Sequence, residues 1–405
     1  MSNFFLCYNE FKSLYGGVKI VLKAYKLRLY PNKKQIDKIH INFNNCRFIW
    51  NKMLEMQINR YENNKNAKYI NGYGMNLLLP LLKKENPWLK KADSTALQEA
   101  ITQLDTAFTR FFRKLSGYPK FKSMKYSRKS YTTKMNITLV DENHIKLPKL
   151  GKVYFLANKI PDKNLKIKRA TITVSATGKY YALVLVDTEI KQFSKTNKSV
   201  GIDLGLKDLA TQSDGIKLPN IRFDKRLAKK KKYWEKRLAR RRLQALSYIN
   251  EQKKIGRDLD LSDFSNYAIA KHNLAKINEK IANQRIDYLH KYTTNLVKKY
   301  DVIAIEDLKA SNMLKNHKLA QAISNASWRI FRELLSYKTK WYGKELIVVK
   351  PQLTTQFDYE TGEINKHPLS VRQYTNSLGH VIDKDINAAK NILSWGINPQ
   401  LRVTK

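Results

Sequence analysis

The 405-residue chain carries 77 Lys and Arg against 34 Asp and Glu, a formal net charge of +43, and such self-repulsion makes a polyanion its natural partner. A hydrophobic content of 42%, with 15 Phe, 6 Trp and 23 Tyr, excludes a disordered basic tail, and the length fits roughly two to three domains. Two cysteines, Cys7 and Cys46, exclude a disulfide framework and a four-cysteine metal site. No apolar run approaches about 18 residues, and Met1–Lys23 lacks the sustained apolar stretch of a cleavable signal, so no membrane partner is expected. The composition reads as a cytoplasmic, nucleoid-associated nucleic-acid protein.

In chain order, Lys23–Tyr30 alternates polar and apolar residues and predicts a strand ended by Pro31 and Asn32. Ile36, Ile39, Phe43, Phe48, Ile49, Met53 and Met56 then recur at helical spacing from Lys33 to about Tyr61. A second helical block runs from Asp93 to Leu115, stopped by Gly117-Tyr118-Pro119. Between Ser130 and Asp187 the pattern becomes short alternating runs, such as Ile145–Leu147, Val153–Leu156, Ala170–Val174 and Tyr180–Val186. The expected arrangement is a small β-barrel whose first strand precedes a helical insert and whose other strands follow it. From Lys198 onward the character is α/β, with compact strands at Val200–Leu204, Val302–Glu306 and Leu346–Val349. Helices are expected at about Tyr267–Tyr300 and Ser324–Tyr342, and Lys225–Arg242 holds 11 Lys or Arg among 18 residues.

Three acids stand at the ends of these elements. Asp203 lies in the strand Gly201-Ile202-Asp203-Leu204-Gly205, Glu306 ends Ile303-Ala304-Ile305, and Asp385 opens a helix through Ile392. Converging carboxylates repel one another unless cations bridge them, and Mg²⁺ suits a few carboxylate oxygens with water and substrate phosphate. Two such ions about 4 Å apart would activate a water and stabilise the leaving oxygen of a phosphodiester. Spacing alone leaves simpler roles open: a turn residue for Asp203, a polar strand end for Glu306, and a helix cap for Asp385.

The flanking residues narrow the choice. Gly201–Thr211 (GIDLGLKDLAT), Ile281–Leu308, Met313–Trp328, Trp341–Val349 and Asp383–Ile392 (DKDINAAKNI) resemble, in order, the transposon-encoded TnpB proteins. Lys23–Gln35 (KAYKLRLYPNKKQ) is similar to that family's start and Gly117–Ser123 (GYPKFKS) to its middle, so the resemblance spans roughly residues 23–395. It implies a RuvC nuclease domain of RNase H-like fold over 196–405. A wedge-type β-barrel over 23–32 and 127–195 would precede it, carrying a helical recognition insert over 33–126. It also implies an RNA-guided DNA endonuclease related to the type V CRISPR effectors, with a guide RNA from the transposon end and double-stranded DNA as partners. The implied catalytic and metal-holding acids are Asp203, Glu306 and Asp385, with Arg372 as a phosphate-contacting arginine. The oligomeric state is left open.

Two departures stand out. Residues 1–22 carry no family motif and read as an N-terminal extension. The stretch Thr354–Asp383 contains no cysteine, where the family resemblance implies a four-cysteine zinc ribbon; Thr375 and Leu378 fall where the second cysteine pair would be. His367 and His380 do not fit ordinary zinc spacing, so no zinc is expected. The segment should hold together by packing of Tyr374, Leu378 and Val381, or else stay mobile. A cleavage-deficient, RNA-guided DNA-binding regulator is the alternative function that this loss suggests.

The basic segment is too charged for a core element, so Lys229, Lys230, Lys231, Lys232, Arg240 and Arg241 are candidate phosphate contacts on guide RNA or the RNA–DNA duplex. In such systems base pairing reads sequence while the protein reads backbone shape and a short adjacent DNA motif. The resemblance implies that motif's contacts at Gln98 and Thr133, with Tyr73 as a weaker match; amides, hydroxyls and methyl groups can each meet a base edge.

Overall fold

The computed structural model describes residues 12–13, 18–125, 127–308, 327–351, 353–364, 366, 368, 371–398 and 400, with side chains from Ile20 onward. Cys7, His367 and most of the Met313–Trp328 motif and of the 1–22 extension lie outside the described residues. Two compact units emerge, one of Ile20–Thr188 and one built on Glu189–Lys405.

Strands β1 (Lys12–Ser13) and β2 (Val18–Tyr30) open the described chain. Pro31 ends β2, and Asn32 starts α1 (Lys33–Asn63): its side chain accepts the Gln35 N–H while Gln35 Oε1 accepts the Asn32 N–H, at 2.9 and 3.0 Å. Helix α2 (Gly72–Glu85) escaped the sequence reading because it carries Pro80 in its interior. Helix α3 (Ser94–Phe112) begins behind the cap Asp93.

Strands β3 (Ser130–Thr133), β4 (Thr138–Leu139), β5 (His144–Leu147), β6 (Gly151–Leu156), β7 (Ile167–Val174) and β8 (Tyr180–Lys191) follow. With β2 they hydrogen-bond in the order β3-β7-β8-β2-β6-β5-β4, so the first strand sits mid-sheet between partners made long after it. Among the described residues no ladder joins β3 to β4, so the pairing is an open path. The helices and the sheet share one apolar core: Leu27 and Leu29, Ile39, Ile49 and Met53, Leu97 and Ile101, Phe155, Ile172 and Val184 are all buried in it.

The second unit is organised on a five-stranded sheet of β9 (Ser199–Asp203), β10 (Asp208–Gln212), β11 (Lys217–Pro219), β12 (Val302–Glu306) and β13 (Glu345–Val349). Its order is β11-β10-β9-β12-β13, with the first three antiparallel to one another and β9, β12 and β13 parallel. Helices α4 (Phe223–Arg226), α5 (Ala228–Lys254), α6 (Ser265–Lys299), α7 (Trp328–Tyr342) and α8 (Lys384–Ile397) surround it, and β14 (Gln373–Thr375) pairs with β15 (Val381–Asp383). Successive strand residues face opposite ways. Val200, Ile202, Ile303 and Ile305 therefore meet Leu289, Leu296, Phe331 and Leu335 of α6 and α7. Ala304 and Val349 turn the other way, toward Ile392 and Trp395 of α8.

Candidate active site

The same alternation places the acids. Asp203 follows Gly201 by two residues and Glu306 follows Ala304 by two, which puts both on the α8 face. Ile305 pairs with Ile202 in parallel register, so Glu306 and Asp203 are the next neighbours at the ends of adjacent strands. Gly201 is what lets the helix approach: a Cβ there would stand 2.0 Å from the Ala389 carbonyl oxygen and 2.8 Å from Leu393 Cβ. With α8 seated so close, Asp385 in its first turn faces the strand ends.

Asp385 is not the helix cap. Asp383 does that work, accepting the N–H groups of Asp385 and Ile386 at 3.0 and 3.1 Å while pairing with Lys217 at 2.6 Å. Asp385 instead receives Arg372 Nη1, 3.3 and 3.4 Å from its two oxygens. The Arg372 carbonyl is pinned by the Lys384 N–H at 2.9 Å, so backbone and side chain both lie against the start of α8.

Electrostatics ties the acids together. Burial first, and then the charges of Glu306 and Asp385, push Asp203 up to about 7; the Leu204 N–H and Arg372 oppose the rise. Burial also raises Glu306, against a hydrogen bond donated by Thr354 Oγ1. As the side chains stand, no group of three or more His, Cys, Asp or Glu among the described residues is gathered to hold a metal ion. The chemistry of the set nonetheless fits a hard cation: oxygen donors only, and mutual repulsion that a divalent ion would relieve.

Sequence reasoning missed the residues that frame these acids. Asn391 Nδ2 donates to the carbonyls of Thr354 and Phe357, at 3.0 and 2.6 Å. Asn387 donates to Phe357 O at 2.7 Å and accepts the Tyr359 N–H at 2.8 Å. Two buried asparagines one turn apart in a helix were a readable signal, since Asn is a poor helix former that needs a partner when buried.

The cysteine-free segment is not held as expected. Tyr374 is buried, but Leu378 and Val381 are 62% and 69% exposed, so apolar packing of those two is corrected. Polar side chains took that place, and His380 faces Glu360 at 3.0 Å.

The candidate nucleic-acid residues fall into three situations. In α5 only Ala245 is buried. Leu227 and Trp234 lean on Phe223, Ile277 and Ile281, leaving Lys229, Lys230, Lys232 and Arg240 exposed and Lys231 and Arg241 partly buried. Gln98 is exposed on α3, and Tyr73 is 74% exposed at the start of α2. Thr133, by contrast, is 0% exposed, and its hydroxyl is shared with Thr95 Oγ1 at 2.9 Å. A direct base contact from Thr133 is therefore corrected: the side chain braces the entrance to α3 and has no surface to offer.

Comparison with known proteins converges on one family. Residues 182–317 match the OrfB_IS605 model, described as "Probable transposase", and residues 328–392 match a "Cas12f1-like, TNB domain". Residues 21–66 match a "Helix-turn-helix domain", although in this chain that span is strand β2 and the single helix α1. A "Putative RNA-guided DNA endonuclease" of Streptomyces pristinaespiralis is 32% identical over 386 residues, covering 93% of this chain and 90% of its own. The similarly described InsQ of Escherichia coli (strain K12) is 30% identical over 397 residues, covering 93% and 92%. The TnpB-like protein L770 of Acanthamoeba polyphaga mimivirus is 24% identical over 405 residues, covering 94% and 74%. Ordered acids on a mixed sheet, matched nearly end to end by these relatives, place the chain in the transposon-encoded TnpB family, related to Cas12f.

Proposed function

We propose that this protein is an RNA-guided DNA endonuclease of a transposable element, and that Asp203, Glu306 and Asp385 form its metal-dependent cleavage site. One observation carries the reading: two acids end neighbouring parallel strands on the face covered by the helix that bears the third. The sheet order, three antiparallel strands followed by two parallel ones, supports an RNase H-like RuvC domain. The mid-sheet position of β2, with the helices inserted before its long partners, supports a wedge-type domain around the helical insert, its strands paired as an open sheet. Asp203, Glu306 and Asp385 would hold Mg²⁺, two ions by this reading. Bound there, magnesium supplies an activated water and charge stabilisation for phosphodiester hydrolysis.

The chain's own groups do the rest. Burial keeps water and rotamer freedom away from Glu306, and Thr354 orients its carboxylate. Arg372, held on Asp385, can turn its guanidinium to a phosphate. Lys229–Lys232, Arg240 and Arg241 line a solvent-facing helix suited to the backbone of a guide RNA from the transposon end or its duplex with DNA. Gln98 and Tyr73 are placed to meet the DNA motif adjacent to the target. No described helix is long and apolar enough to cross a membrane.

The test is substitution in the ribonucleoprotein purified from cells carrying the native flanking DNA. Asp203→Ala, Glu306→Ala and Asp385→Ala should each lower target cleavage by more than about a thousandfold while guided DNA binding persists. Chelation should stop the wild-type reaction, and Mg²⁺ should restore it. Wild-type cleavage by Asp385→Ala would remove that residue from the site.

A further inference from the structure

The segment between β13 and α8 contains two loops built alike. Asp358 opens the first: its Oδ1 accepts the N–H groups of Glu360 and Thr361 at 2.9 and 3.0 Å. The loop closes with the Gly362 N–H on the Asp358 carbonyl at 3.0 Å. Asn376 opens the second, where its Oδ1 accepts the N–H groups of Leu378 and His380 at 3.1 and 2.9 Å. Here the Gly379 N–H closes on the Asn376 carbonyl at 3.0 Å. Both glycines are left-handed, with φ of +76° and +80°, a conformation that favours glycine. The first loop closes over four residues and the second over three, so what they have in common is a side-chain acceptor at the opening and a left-handed glycine at the close.

Three contacts join the loops. Tyr374 Oη donates to the buried Asp358 Oδ2 at 2.7 Å. Asn376 Nδ2 donates to Glu360 Oε2 at 3.1 Å, and His380 Nδ1 lies 3.0 Å from that same oxygen. Burial works to raise the Asp358 carboxyl, yet Tyr374 and the loop N–H groups outweigh it and hold it below the usual range. Both ends of this arrangement run to the acids. The first loop is tied to α8 through Asn387. Tyr374 stands two residues beyond Arg372, in a strand whose Gln373 pairs with Asp383.

We infer that Asp358, Glu360, Tyr374 and His380 form a hydrogen-bonded clasp whose role is to position Arg372 against the first turn of α8. They are positioning residues, acting on Arg372 through β14. Without the clasp, Arg372 keeps the Lys384 N–H on its carbonyl and β14 keeps its three-residue pairing with β15, a hairpin too short to be rigid by itself. The inference rests on the nuclease reading for its consequence, and on the hydrogen bonds alone for its existence.

Two measurements on the same ribonucleoprotein separate these. In Tyr374→Phe, amide hydrogen exchange across 358–380 should accelerate more than tenfold while β9 and β12 exchange as in wild type. Turnover at saturating target DNA should fall about tenfold, with KM and guided binding unchanged. Asp358→Ala, which removes the acceptor of the Tyr374 hydroxyl and of the loop N–H groups, should behave like Tyr374→Phe. Should Tyr374→Phe fail to fold, Glu360→Ala serves instead, because that carboxylate lies at the exposed edge. Unchanged exchange in every variant would show that there is no clasp. Accelerated exchange with full turnover would show a clasp that does not position Arg372. A wild-type protein that never cleaves would sink the nuclease reading, while the exchange comparison would still decide the clasp.

Discussion

The strand ends and the segment after β13 solve one problem by opposite means. Asp203 and Glu306 are aimed by a sheet whose neighbours are wholly apolar: Val200, Ile202, Ile303 and Ile305 are fully buried, and the register follows from that burial. Arg372 is aimed by side-chain hydrogen bonds on a surface segment with almost no core of its own. The first device is redundant, because many buried methyl groups share the load. The second concentrates its specificity in a few contacts, each contributing about 1 kcal/mol net. On the proposed reading, two acids that must not move sit on the sheet, and a guanidinium that would leave Asp385 for a phosphate sits on the clasp.

The largest effect that could break this contrast is at Gly201. Gly201→Ala places a Cβ 2.0 Å from the Ala389 carbonyl oxygen, so α8 must lift from β9. The expected cost is about 3 kcal/mol or more in urea unfolding, with loss of cleavage. A variant with wild-type stability would mean that the helix seat is soft. Truncating an apolar neighbour, Ile303→Ala, should cost about 2–5 kcal/mol, whereas Leu378→Ser and Val381→Ser should each stay within about 0.5 kcal/mol because both side chains are already exposed. Comparable losses at all three would erase the distinction between core and clasp.

A smaller effect concerns pH. Asp203 is raised from 3.8 to about 7 in the folded protein, so between those values the folded state binds more protons than the unfolded one. Stability measured without divalent cations should therefore fall as pH rises from about 4 to about 7. Asp203→Asn should flatten that slope. A slope that survives the substitution would assign it to Glu306.

The sequence made some of this legible and concealed the rest for physical reasons. β-Branched runs identified β9 and β12, and with them two of the three acids, because buried parallel strands need such residues. The family motif picked Asp385 over Asp383 for the site, but spacing alone left Asp385 open as the helix cap, a role that the backbone gives to Asp383. Helix α2 was hidden by Pro80, β11 by its three-residue length, and β10 by the polar Asp208, Thr211 and Gln212 among its five residues. Thr133 was picked out by a motif match that carries no information on burial, and only the fold shows Thr95 on its hydroxyl. The clasp was unreadable, because Asp358 and Tyr374 are 16 residues apart and Glu360 and His380 are 20 apart, distances over which no periodicity links two polar residues.

The placement of β2 has a consequence for how the chain is made. Arg28 pairs with Leu156, and the other neighbour of β2 is β8, which ends at Lys191. While the ribosome is still synthesising the helices and the later strands, β2 has only its short pairing with β1 and lacks both of its long partners, β6 and β8. Local helix formation in α1 and α3 can proceed at once, but sheet closure must wait for well over a hundred further residues, at roughly 5–20 residues per second. The first unit therefore cannot fold from its N-terminus forward; it completes only when its last strand emerges, and until then the incompletely paired strand is the segment most exposed to wrong partners.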